Sequence, residues 1–141
     1  MRILSESEAI YCKRSDPVGA AAPVVLVVDD EEAIRCVAWE ILRYLGYGVE
    51  TVTCGEEALA RIEAGFRPDA VLLDVVMPGI GGAETFRRLR AARPDLPVIV
   101  VSGFTDRASA EALAKEGVNA VLGKPFGIET LSKKLRETIQ K

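Results

Sequence analysis

Three features predict a doubly wound α/β fold on a five-stranded parallel sheet: five short aliphatic runs, an amphipathic stretch after each, and polar residues where the runs end. Apolar runs of this length suit strands buried on both faces. Parallel neighbours need crossover connections, and the crossover helices cover both sides of the sheet. In such sheets a ligand site lies beyond the carboxyl ends of the strands, at the point where strand order reverses.

Residues 1–22 keep no sustained period and pass through Pro17, Gly19 and an alanine run before Pro23. They read as a linker or frayed tail, with a short helix around Glu6 to Cys12 as the alternative. The folded unit is then 23–141. Its first strand is the run VVLVV from Val24, followed by strands at Val49 to Val52, Ala70 to Leu73, Pro97 to Val101 and Ala120 to Leu122. All are short and mostly β-branched or aliphatic.

The first helix carries a stripe of Ala33, Ile34, Val37, Ala38, Ile41, Leu42 and Leu45, and Gly46 follows where a left-handed C-cap belongs. Trp39 and Tyr44 fall off that stripe. In the second helix Thr53 and Glu56 have capping-box spacing, Leu59 and Ile62 face inward, and Gly65 ends the pattern. The third carries Phe86 and Leu89 and stops before Pro94. Asp106 is the expected N-cap of an alanine-rich fourth helix ending at Gly117, and the fifth places Ile128, Leu131, Leu135 and Ile139 on one face.

At 141 residues the chain suits one domain. Apolar residues make up 49%, aromatic residues 6% and the net charge is -3, so the core should be aliphatic and the surface mildly acidic. With no basic patch and no reading element, direct contact with nucleic acid is not expected. No apolar run approaches the ~20 residues that span a bilayer, so no membrane association is expected. The N-terminus mixes Arg2, Glu6, Glu8, Lys13 and Arg14 with apolar residues, unlike a signal peptide, and a cytoplasmic location follows by default. Cys12, Cys36 and Cys54 lack ligand spacing and read as reduced thiols.

The strand ends carry the chemistry. The first strand runs into Asp29-Asp30-Glu31-Glu32, the third into Asp74, the fourth into Ser102-Gly103 and the fifth into Lys124-Pro125-Phe126. Each group alone has a plainer reading: Asp29 and Asp30 as helix caps, Asp74 as the residue before the turn Met77-Pro78-Gly79, Ser102 as loop and Lys124 as surface charge. Together they crowd one cleft. Clustered carboxylates repel unless one is protonated or a cation sits among them. An all-oxygen set favours a hard divalent ion, and magnesium typically takes one or two carboxylates together with phosphate oxygens. That composition suits phosphoryl transfer to a carboxylate nucleophile, with an ammonium and a hydroxyl to meet the phosphoryl oxygens.

The ordered motifs VVDDEE, LLDVVMPGIGG, VVSG and GKPF resemble the receiver domain of two-component response regulators and hybrid histidine kinases, over roughly Pro23 to Gln140. The resemblance implies a flavodoxin-like (βα)5 domain of strand order 2-1-3-4-5. It implies Asp74 as phosphoacceptor, Asp30 as a direct Mg2+ ligand, Asp29 as a direct or water-mediated one, and the Val76 backbone carbonyl as a further ligand. Asp74 itself completes that metal set. Ser102 and Lys124 would meet the phosphoryl group, a cis peptide would precede Pro125, and Gly103 would leave space beside the acceptor.

The implied partner is a sensor histidine kinase or histidine phosphotransfer protein, docking on the first helix and the loop after the fifth strand. A homodimer through the last strand-helix face is a further implied assembly. The chain has no histidine, so the donor is another protein. No effector segment follows Lys141, so output is expected by protein contact, by phosphorelay or through a larger parent chain.

Val121 stands where many receivers carry an aromatic switch residue, which puts that part of the switch in question. Val76 and Phe104 stand two beyond the acceptor and the hydroxyl, positions that the resemblance implies border the path of an attacking water, and being apolar they predict slow autodephosphorylation. An aspartyl phosphatase would want an acid where Val76 stands. A phosphate-independent module would have lost an acid or the lysine, and a flavin binder would want glycines and hydroxyls in the acidic first loop.

Overall fold

The computed structural model describes residues 22–139. Five strands, β1 (Val24–Val28), β2 (Gly48–Val52), β3 (Ala70–Asp74), β4 (Val98–Ser102) and β5 (Ala120–Gly123), form one parallel sheet in the order β2-β1-β3-β4-β5. The helices are α1 (Glu32–Tyr44), α2 (Gly55–Glu63), α3 (Gly81–Ala92), α4 (Arg107–Glu116) and α5 (Ile128–Ile139). The predicted fold class and strand order are those observed. The tail reading over 1–22 and the alternative helix around Glu6 to Cys12 lie outside the described residues, apart from Ala22.

Alternation along the strands divides the core in two. Leu26 and Val28, Val71 and Leu73, and Val98 and Val100 face a cluster completed by Ala58 of α2, Phe86 and Leu89 of α3, and Ala110 and Leu113 of α4. Val25 and Val27, Ala70 and Leu72, and Ile99 and Val101 face Ala38 and Leu42 of α1 and Leu131 and Leu135 of α5. Three helices therefore cover one face and two the other, which leaves the carboxyl edge of the sheet clear for a site.

Several local expectations shift. The inward stripe of α1 is narrower than predicted: Ala38 and Leu42 are buried, but Ala33 is exposed and Val37 is 46% exposed. One residue is about 100° of helix, so Val37 turns off the face that Ala38 presents to the sheet. Gly46 takes φ 97, and the helix closes with Tyr47 N–H donating to Leu42 O at 2.9 Å, as a left-handed cap requires. Trp39 is half-buried against the second cluster, with the Arg43 guanidinium 5.8 Å from its ring centroid, while Tyr44 is 77% exposed.

The capping box expected from Thr53 and Glu56 does not form, and Glu57 reaches back to Thr53 instead. Cys54 is the N-cap, and the Glu57 carboxylate accepts from both Thr53 N–H (2.7 Å) and Thr53 Oγ1 (3.0 Å). The helix starts one residue later than Thr53 would dictate, which moves the reaching carboxylate on by one. Glu56 accepts from Ile80 N–H at 3.3 Å and ties α2 to the turn before α3. Asp106 does immediately precede α4, but it closes a one-turn 3-10 helix (Phe104–Asp106) and its side chain makes no capping bond. Ile128 is 45% exposed at the start of α5, so the buried face of that helix is carried by Leu131 and Leu135.

Candidate functional site

β3 and β4 each run one residue further than their apolar runs, and this makes Asp74 and Ser102 the last residues of their strands. Ser102 is level with Gly123 of β5, and Asp74 with Val101 of β4. Asp29 leaves β1 with its N–H donating to Val52 O at 3.2 Å, and Lys124 leaves β5 with its N–H donating to Ser102 O at 2.8 Å. The backbone ladder thus delivers all four functional groups to one edge. The peptide between Lys124 and Pro125 is cis.

Asp29 (2% exposed), Asp74 (3%) and Ser102 (5%) are buried, whereas Asp30 is exposed. Oxygens of Asp29, Asp30 and Asp74 all lie within 4.8 Å of one another. Lys124 Nζ sits 3.3 Å from Asp29 Oδ2, 3.4 Å from Asp74 Oδ2 and 3.6 Å from Glu31 Oε1. The remaining oxygen of Asp74 accepts a long bond, 3.4 Å, from Val76 N–H. Asp29 does not cap α1; its Oδ1 accepts from Glu31 N–H at 2.9 Å, and the helix N-cap, Glu31, has no side-chain cap.

Burial, followed by the neighbouring Asp29 charge, pushes the Asp74 carboxyl up to about 6, against the pull of Lys124 and the Val76 N–H. Burial likewise raises Asp29, opposed by the Glu31 N–H and by Lys124. Lys124 is raised: burial, the largest influence, opposes this, but the Asp29 and Asp74 charges outweigh it. One ammonium is thus shared among three carboxylates, and a fourth, Asp30, points oxygen at the same space. Such a set has room and charge for a hard divalent cation, which magnesium's preference for carboxylate oxygen satisfies.

Phe104 (88% exposed) and Val76 (61%) stand at the rim. An open cleft of about 380 Å³ adjoins the site, lined by Ser102, Phe104, Arg107, Val121 and Lys124 among others. Val121 is only partly buried and packs toward the α2-α3-α4 cluster. Two residues near the site were not picked out by sequence reasoning. Glu31 was read only as part of an acidic run, yet it reaches Lys124; Arg35 Nη1 donates to the Asp29 carbonyl at 2.9 Å. Nothing in composition or periodicity marks Arg35, because its significance lies in a contact across a turn.

A family model described as the response regulator receiver domain matches residues 25–136. The chain belongs to that family. Receiver domains are the signalling units of two-component systems, the phosphoacceptor role is typical of them, and response regulators take phosphate from histidine kinases. The chain is 39% identical over 117 residues to the response regulator MprA of Mycolicibacterium vanbaalenii, covering 83% of this chain and 50% of that protein. It is 38% identical to MprA of Mycobacterium avium over 83% of this chain and 51% of that one. It therefore spans about half the length of these relatives.

Among solved structures, NtrX from Brucella abortus, in complex with ADP, superposes with a TM-score of 0.80 at 29% identity over 84% of this chain and 27% of that one. The receiver domain of a sensor histidine kinase from Pseudomonas aeruginosa superposes with a TM-score of 0.77 at 30% identity, covering 86% of this chain and 100% of that one. That domain was determined with a magnesium ion coordinated in its active-site cleft. Among the described residues of the present chain, no helix is long and apolar enough to cross a membrane.

Proposed function

We propose that Asp74 is the phosphoacceptor of this receiver domain, taking its phosphoryl group from the phosphohistidine of a sensor histidine kinase or phosphotransfer protein. The observation that carries this is the convergence of three carboxylates and one ammonium, with Lys124 Nζ 3.4 Å from the buried Asp74 carboxylate. An ionised Asp74 oxygen attacks phosphorus, the phosphorus–nitrogen bond breaks, and its electron pair stays on the donor imidazole. Lys124 would release Asp29 and Glu31 to meet the incoming oxygens, and the Ser102 hydroxyl at the neighbouring strand end would donate to another.

Asp29, Asp30, Asp74 and the Val76 carbonyl would hold Mg2+. When bound, the ion neutralises charge on the transferring group and keeps Asp74 ionised below the pH that burial would otherwise demand. The unit that does this is 23–141, with 1–22 as tail or linker. The domain acts as a switch or relay and turns over no substrate other than its own acyl phosphate, since Val76 offers no acid where an aspartyl phosphatase would need one. A cytoplasmic setting and the absence of direct nucleic-acid contact are proposed for this segment alone. Output through a homodimer at the β5–α5 face belongs to the same reading.

The test is incubation with a small phosphodonor and Mg2+, followed by intact mass. One added phosphoryl group is expected on the native chain and none on Asp74→Asn. A chain that stays unmodified, or a variant that is modified equally, overturns the assignment.

A further inference from the structure

Arg35 lies outside the four motifs, one turn into α1, and is half-buried. Its bond to the Asp29 carbonyl completes a set of partners in which every polar atom of Asp29 is held. The N–H is held by Val52 of β2, Oδ1 by the Glu31 N–H, Oδ2 by Lys124, and the carbonyl by Arg35. Three of those partners come from the strand ends and the loop itself. Arg35 ties the loop to the body of α1, whose N-cap, Glu31, makes no side-chain cap bond to the helix. Such a cap would ordinarily fix the entry to a helix.

We propose that Arg35 is a positioning residue for the cation site. By gripping the Asp29 carbonyl it fixes the turn through which the Asp29 and Asp30 carboxylates converge on Asp74, and so sets the affinity for a divalent cation. This rests on the acidic cluster being that cation site. A purely electrostatic role makes the opposite prediction, because deleting a positive charge beside an acidic pocket would tighten cation binding. Groups that orient a metal's ligands usually cost ten- to a hundredfold in affinity when removed.

The experiment is calorimetric titration of Mg2+ into the whole chain, native, Arg35→Met and Arg35→Lys, with amide exchange measured on the metal-free proteins. Arg35→Met is expected to bind Mg2+ roughly tenfold more weakly, at the low end of that range, and to speed exchange at the Glu31 amide, with the sheet amides unchanged. Arg35→Lys, which can still reach a carbonyl with one donor, recovers part of both. Equal or tighter Mg2+ binding by Arg35→Met overturns the brace while leaving the site intact, as does faster exchange spread evenly over the sheet. A native chain that binds no Mg2+ overturns the site reading and the brace with it.

Discussion

The two oxygens of Asp74, the proposed acceptor, have different neighbours, the Val76 N–H on one side and Lys124 on the other, and the residues two beyond Asp74 and Ser102, Val76 and Phe104, are apolar and exposed. Neither apolar side chain can orient a water for attack on an acyl phosphate. The phosphorylated state should therefore be long-lived. Val76→Asn or Phe104→Glu should shorten its lifetime by about tenfold, less than a fully positioned acid or base contributes. Decay followed by mass spectrometry checks this, and decay that is unchanged or slower in both variants sinks it. Asp74, Asp29, Ser102 and Lys124 were legible in the sequence because each ends or follows an apolar run. Glu31 and Arg35 were not, since only the turned chain brings one to Lys124 and the other to the Asp29 carbonyl.

Elements meet the site most tightly where α3 begins. A Cβ on Gly82 would overlap the Asp74 carbonyl oxygen and come within 2.6 Å of Val75 O and 2.7 Å of Val75 Cα, all backbone atoms that cannot swing aside. Gly82 N–H also donates to Val75 O at 3.1 Å, so the helix start is pressed onto the end of β3. Gly82→Ala should cost about 1–3 kcal/mol, as overpacking does, and should weaken Mg2+ binding by displacing Asp74. Gly81→Ala meets no atom within 4 Å; its cost comes from φ 80, about 1–2 kcal/mol, and the site should survive it. Denaturant melts with parallel Mg2+ titrations separate the two, and equal Mg2+ affinity in Gly82→Ala and the native chain would refute the coupling. The glycines of MPGIGG announced a turn in the sequence; which of them packs on the Asp74 backbone required the packing. The same limit moved the carboxylate that reaches Thr53 from Glu56 to Glu57, because capping-box spacing counts from a helix start that only the fold defines.

Across the whole molecule, two apolar clusters on either side of the sheet supply the stability, and the acidic edge works against it. The clusters were legible because strand alternation and helical periodicity repeat over many residues, whereas the balance at the edge depends on burial. Asp74 titrates near 6 when folded against 3.8 for the free side chain, so the folded chain holds a proton that the unfolded chain has released. Its ionised form thus costs stability above pH 6, by up to about 3 kcal/mol at 1.36 kcal/mol per unit. The cost is recovered as pH falls from about 7 toward 4. Asp29, also raised, acts in the same direction, while Lys124, raised from 10.5, stays charged throughout this window. The metal-free chain should then melt higher at pH 5.5 than at pH 7.5, the reverse of ordinary acid destabilisation. Mg2+ at about ten times its dissociation constant should add about 1.4 kcal/mol at pH 7.5 and less at pH 5.5, where protons compete for the same oxygens. Asp74→Asn should raise the metal-free melting temperature at pH 7.5 and flatten its pH dependence. Thermal melts at both pH values, with chelator or with Mg2+, decide the matter: a metal-free melting temperature that falls between pH 7.5 and 5.5, to the same extent in Asp74→Asn, would show that the buried carboxylate carries no such cost.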